Sequence, residues 1–188
     1  MRHKYDTRGI VLARTSLGEA NLLITLLTPT IGLVRARAQG IRKPGAKLAS
    51  GLATLSESEV MLVQGNEGWR VVGAVLGERW AKELPHHGRE RAARVAGLLL
   101  RLVVDEMRDE RLFDEVKEFL TALRDRPAAL HEAVELLAVL RLLVLLGLDT
   151  GDDRVGMGGY DESLLKHVLE ARVAYIQRIN QGIGASGL

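Results

Sequence analysis

Cysteine is absent from this chain of 188 residues, and aromatics are scarce: two tryptophans, three tyrosines and two phenylalanines. The first absence excludes disulfides, a thiol nucleophile and any cysteine-based zinc site, and it suits a reducing cytosol. The second leaves few flat surfaces for stacking. Long apolar runs are missing as well. Leu136 to Leu148 is apolar except for Arg141 and falls short of the roughly 20 residues a membrane span needs, so it reads as a buried central helix. Near the N-terminus, Arg2, His3 and Lys4 are followed only by the short run Ile10 to Ala13, too little for the core of an export signal. A cytoplasmic protein without membrane contact is the expectation. At 47% apolar residues, the chain can fill its core without metal or disulfide staples.

Charge is unevenly distributed. The net charge is only +2, yet residues 1–50 hold nine Lys and Arg against two acids, leaving 17 against 22 for the remainder. That split predicts an N-terminal part that meets a polyanion such as nucleic acid. Its centre is Thr28 to Lys47, TPTIGLVRARAQGIRKPGAK. In a strand, successive side chains alternate between faces, so Arg35, Arg37 and Gln39 project together while Val34, Ala36 and Ala38 face inward. Arg42, Lys43 and Lys47 follow in a loop marked by proline and glycine and extend the positive surface. Arg14 joins these candidates from the first strand, whereas Arg2, Lys4 and Arg8 read as ordinary solvated positions. The site requires its cations to lie together on a small closed sheet, unneutralised by carboxylates.

Up to about residue 77 the chain is rich in short β-type runs. Strands are predicted over Gly9–Thr15, Ala20–Thr28, Leu33–Gly40, Ser58–Gln64 and Trp69–Leu76, with Gly65-Asn66-Glu67-Gly68 as a hairpin turn. Leu48–Leu55 has the apolar spacing of a short helix. Three strands, a connection and two strands match the OB-fold, a five-stranded barrel that binds single-stranded nucleic acid. Only Tyr5 and Trp69 are aromatic in this part. Binding would therefore rest on phosphates and leave base edges free. Trp69 is expected to pack against the barrel.

Beyond residue 78 the period becomes helical. Ala92, Val95, Ala96, Leu99, Val103 and Met107 form one stripe, and Val116, Phe119, Leu120 and Leu123 another. Pro127 suits the first turn of a long helix that Gly147 ends. A last helix starts near Asp161 and buries Leu165, Val168, Leu169, Val173 and Ile176. The Gly156–Gly159 stretch and the tail from Gly182 read as mobile. The fold class is α+β, with an OB-fold domain over residues 1–78 and a helical bundle over 79–188 that suits partner docking.

Enzymatic signatures are incomplete in this sequence. Gly40 to Leu48 approaches a P-loop, but Ala46 separates glycine from lysine and Leu48 replaces the hydroxyl that would bind magnesium. Asp149-Thr150-Gly151 resembles an aspartic-protease tripeptide but leaves a helix rather than a strand. His86 and His87 are adjacent, which splays them and makes joint ligation of one metal awkward. Asp105, Glu106, Asp109, Glu110, Asp114 and Glu115 interleave with Arg108, Arg111 and Lys117, the pattern of a solvated, salt-bridged helix end. No catalytic residue, metal or cofactor is expected. A metal-dependent nuclease and an OB-fold protein that binds RNA are the alternatives.

The segment TRGIVLARTSLGEANLLITLLTPTIGLVRARAQGIRKPGAKLASGL resembles the N-terminal domain of the bacterial RecO family of recombination mediators. Its matching pieces are Gly9-Ile10-Val11-Leu12, Leu17-Gly18-Glu19-Ala20, Thr28-Pro29 with Gly32, and the basic strand and loop ending in Lys47-Leu48. The resemblance implies a protein that is not an enzyme. It would bind single- and double-stranded DNA, anneal complementary strands and work with RecR and single-stranded-DNA-binding protein to load RecA, close to the nucleoid. It also implies a short form, because many members carry four zinc-binding cysteines after the central helix and here Asp149–Gly159 stands in their place.

Overall fold

The computed structural model describes residues 3–41, 48–103, 107–150 and 158–187. They form two compact units: residues 1–83 with 103–113, and residues 84–102 with 114–188.

The first unit is a closed barrel. Its strands are β1 (Lys4–Leu17), β2 (Asn21–Thr28), β3 (Gly32–Ala38), β4 (Glu57–Gly65) and β5 (Gly68–Leu76), in the order β1-β2-β3-β5-β4 with β4 returning to β1. This is the OB-type topology, and the helices that follow give the α+β class. β1 extends five residues further toward the N-terminus than the alternation suggests, because it serves two partners. Lys4 to Ile10 pairs with β4, and Ile10 to Leu17 pairs with β2 across a bulge between Val11 and Ala13. Pairing with a distant strand orders the polar start, which has no apolar rhythm of its own. Inward residues such as Val11, Ile24, Leu26, Val34, Ala36 and Leu62 fill the barrel.

Leu48–Leu55 is a series of turns rather than a helix. The Ser56 and Ser58 hydroxyls both donate to the Gly51 carbonyl, at 2.9 and 2.7 Å, and Leu55 takes a positive φ of 55°. These side-chain hydrogen bonds offer the backbone an alternative to a helix. Further on comes the short α1 (Trp80–Glu83), with Trp80 1% exposed.

The second unit is helical, containing α2 (His86–Leu102), most of α3 (Glu110–Asp125), α4 (His131–Leu145), α5 (Glu162–Glu170) and α6 (Arg172–Ala185). α4 is apolar on nearly every side and is the hub, with Val134, Leu137, Leu140 and Leu143 fully buried. It ends as Gly147 predicts. The Gly147 N–H donates to Val144 and the Leu148 N–H to Leu143, at 3.0 and 2.8 Å, with Gly147 at φ +71°: a Schellman motif.

Three helical expectations need correction. The first stripe stops at Leu102, leaving Met107 outside a helix and 43% exposed. Asp109 restarts the helix by accepting the Arg111 N–H at 3.0 Å. The last helix is two helices that break at Ala171. The break resets the phase, so Leu165 and Val168 are buried in α5, but Tyr175 and Ile179 replace Val173, which is 66% exposed. Finally, the tail from Gly182 is helical to Ala185, and a Cβ on buried Gly182 would stand 3.0 Å from the Leu143 side chain. No helix among the described residues is long and apolar enough to cross a membrane.

Candidate nucleic-acid interface

On β3 the burial alternates: Val34, Ala36 and Ala38 are buried, Arg35 is exposed and Arg37 is half-exposed. Gln39 is exposed one position beyond the strand. Arg42, Lys43 and Lys47 lie outside the described residues, as does Arg2. Arg35 has no carboxylate partner among the described residues, but Arg37 donates to Glu67 of the β4–β5 hairpin at 2.9 Å. One of the two strand arginines is thus already neutralised within the chain.

Arg14 is exposed but does not belong to the same row. It pairs with Ile24, and Ile24 with Ala36, so register assigns it the parity opposite to Arg35 and Arg37. The row that contains Arg37 is different. Thr15, Leu23, Arg37, Arg70, Val63 and Lys4 are successive register partners around the barrel's outside. Lys4 and Arg70 therefore flank Val63, which is only 6% exposed beside their aliphatic stems. Neither Lys4 nor Arg70 is marked by the sequence pattern, because their neighbourhood depends on the parallel β3–β5 pairing that closes the barrel. Arg8 is used internally, with its guanidinium 5.2 Å from the Phe113 ring centroid.

The two barrel aromatics contact each other, with Trp69 buried and Tyr5 37% exposed. Tyr5 and Trp69 meet edge to face at 5.1 Å, and Trp69 is 8% exposed. The row of Arg37, Arg70 and Lys4 is cationic and contains no aromatic side chain, which suits phosphate over base contact.

Other chemistry-bearing residues have structural partners. His86 and His87 do converge despite their adjacency. Both Nδ1 atoms approach Glu90, at 3.5 and 3.4 Å, and the three donor atoms lie within 4.8 Å of one another. Chain rotation at the start of α2 brings them together, and all three are exposed. Asp149 is held by Arg178, whose Nε donates to it at 2.8 Å. Within the acidic group, Asp105 and Glu106 lie outside the described residues, and Asp109 pairs with Arg111 at 2.7 Å. Glu115 is not solvated: it is 3% exposed, accepts a hydrogen bond from the Tyr160 hydroxyl and faces Arg141 Nη1 at 3.6 Å.

Comparison with known proteins supports the same reading of the barrel. Residues 1–72 match the family described as "Recombination protein O N terminal". Proteins named DNA repair protein RecO are similar to the chain. The one from Dehalococcoides mccartyi strain BAV1 is 40% identical over 63 residues, 34% of this chain and 25% of the relative. That of Acaryochloris marina is 46% identical over 65 residues, 35% of this chain and 22% of the relative. That of Nostoc is 28% identical over 154 residues, 79% of this chain and 51% of the relative. The chain thus spans about half the length of these relatives at most. With its strand order and its match to the family, the barrel identifies residues 1–72 as a member of the RecO N-terminal domain family.

Proposed function

We propose that this protein is a DNA-binding recombination mediator of the RecO kind, which acts in recombinational repair by annealing complementary single strands and assisting RecA loading. The observation that carries this reading is the outward placement of Arg35 and Arg37 on one strand of a barrel whose strands carry only two aromatics, Tyr5 and a buried Trp69. A surface that grips phosphates leaves Watson–Crick edges available to a second strand while lowering the repulsion between the two backbones. Arg35, Arg37 and Gln39, continued by Arg42, Lys43 and Lys47, hold the strand. Arg14, on the opposite parity, contributes at the margin. The helical unit docks RecR and single-stranded-DNA-binding protein. No bond is broken or made, no cofactor is required, and the protein works in the cytoplasm beside the nucleoid.

Strand annealing, measured with and without a coat of single-stranded-DNA-binding protein, tests the proposal. If all five cations contact phosphates, log K falls against log salt with a slope of roughly −3.5, about −0.7 for each contact. Replacing Arg35, Arg37, Arg42, Lys43 and Lys47 by alanine flattens the slope and abolishes annealing. An unchanged salt dependence refutes the site. Competition with a matched RNA strand separates DNA from RNA handling, because phosphate contacts do not sense the 2′-hydroxyl.

A further inference from the structure

Arg37 and Arg70 are direct register partners where β3 meets β5. Like charges placed side by side on one sheet face repel each other and call for an anion between them. The fold supplies only one: Glu67 pairs with Arg37, and no carboxylate among the described residues pairs with Arg70. The two arginines and the hairpin residues 64–68 border a concavity of about 440 Å³. Arg70 also borders a second concavity, of about 420 Å³, together with Lys4, Met61, Val63 and Val72.

We propose that the Arg37–Arg70 pair is a phosphate seat that carries the bound strand from β3 across β5 toward Lys4, and that Glu67 is its built-in counter-ion, displaced when a phosphate arrives. This inference rests on the nucleic-acid reading above and adds the route and the competitor. Three strand steps separate Arg37 from Lys4, about 14 Å at the usual strand spacing, so the three cations form a track rather than a point. Arginine favours this use because its planar fork matches phosphate oxygens in pairs. Glu67 suits a displaceable role, since its side chain is 82% exposed and Arg37's 43%. An exposed pair of this kind holds weakly and yields to a better anion. Glu67 also sits at the tip of a two-residue turn between Gly65 and Gly68, away from the barrel core.

The test uses the full chain and a fluorescently labelled oligothymidine, with binding followed by anisotropy across a salt series. Glu67→Gln is expected to tighten binding roughly two- to five-fold, the range set by an exposed ion pair. It should also steepen the salt slope by roughly 0.7, one further phosphate contact. In the Arg37→Ala background, Glu67→Gln should change nothing. Arg70→Ala should weaken binding and flatten the slope by roughly 0.7. Glu59→Gln, the same charge change at an exposed position on β4 rather than in the turn, should have the smaller effect.

A gain from Glu67→Gln that survives in the Arg37→Ala background, or that Glu59→Gln equals, overturns the counter-ion. An Arg70→Ala variant that melts normally and binds as wild type overturns the seat. If Arg35→Ala weakens binding while the Glu67 and Arg70 variants do not, the seat fails and the DNA-binding reading stands. If Arg35→Ala is also silent, that reading falls too.

Discussion

Glu115 gives the helical unit a stability that should depend on pH in an unusual direction, and Glu115→Gln isolates it. Its carboxyl is buried beneath α4, and burial pushes it up from 4.5 to about 7. The Tyr160 hydrogen bond and the Arg141 charge pull it back, but by less. The geometry explains the balance. Arg141 Nη1 stands 3.6 Å from Glu115 Oε2, while Arg141 Nη2 donates to the carbonyls of Gly158 and Gly159. The Arg141 guanidinium also lies over the Tyr160 ring, 4.8 Å from its centroid, so it has a partner even when Glu115 is neutral.

Between pH 4.5 and 7, then, the folded chain keeps a proton that the unfolded chain has released. The resulting stabilisation is complete below the unfolded value and disappears as pH rises through the folded one. It amounts to about 3 kcal/mol over the whole window. Urea unfolding at pH 5, 6, 7 and 8, followed by circular dichroism at 222 nm, reports the helical unit. The fluorescence of Trp69 and Trp80 reports the first unit, which contains both. Wild type should lose stability toward pH 8 relative to Glu115→Gln, which lacks the titrating group. A difference between the two proteins that is flat with pH, or that grows in favour of wild type toward pH 8, refutes the reasoning. The second outcome would mean that attraction to Arg141 outweighs burial.

Two glycines with positive φ should respond differently to alanine. At Gly32, φ is +87° and a Cβ would stand 2.1 Å from the Met107 carbonyl oxygen, so Gly32→Ala should cost upwards of about 2 kcal/mol in tryptophan-detected unfolding of the first unit. At Gly147, φ is +71° with no atom within 4 Å of the Cβ position, so Gly147→Ala should cost only the backbone term, about 1 kcal/mol, read at 222 nm. Thr28 is fully buried, donates to the Gly32 carbonyl at 3.0 Å and accepts the Ile31 N–H at 3.1 Å. Thr28→Val keeps its shape and orphans both groups, for an expected loss of about 1–3 kcal/mol; a neutral result would mean that water reaches this turn.

The parts of the fold governed by local rhythm were legible in the sequence. β3 could be read residue by residue because small and apolar side chains alternate with long polar ones, and α4 stood out as an apolar run closed by glycine. Features that depend on distant partners were hidden. The start of β1 has no alternation and is ordered by β4, while the break at Ala171 has neither proline nor a glycine to announce it. The candidate site divides along the same line. Arg35 and Arg37 share a strand and could be grouped by counting, whereas Arg70 and Lys4 join Arg37 only through barrel closure. Glu67 was visible merely as part of a turn. Glu115 looked solvated because its neighbours in sequence are charged, yet α3 turns it inward toward Arg141.

The double duty of β1 bears on how the barrel is made. Lys4 to Ile10 emerges from the ribosome some fifty residues ahead of Glu57 to Val63, the stretch that must zip against it. Until then a nascent β1–β2–β3 meander has two raw margins, one of them polar at Lys4, Tyr5 and Asp6. Those side chains, so uninformative as a strand signal, discourage neighbouring nascent chains from annexing that margin while it waits.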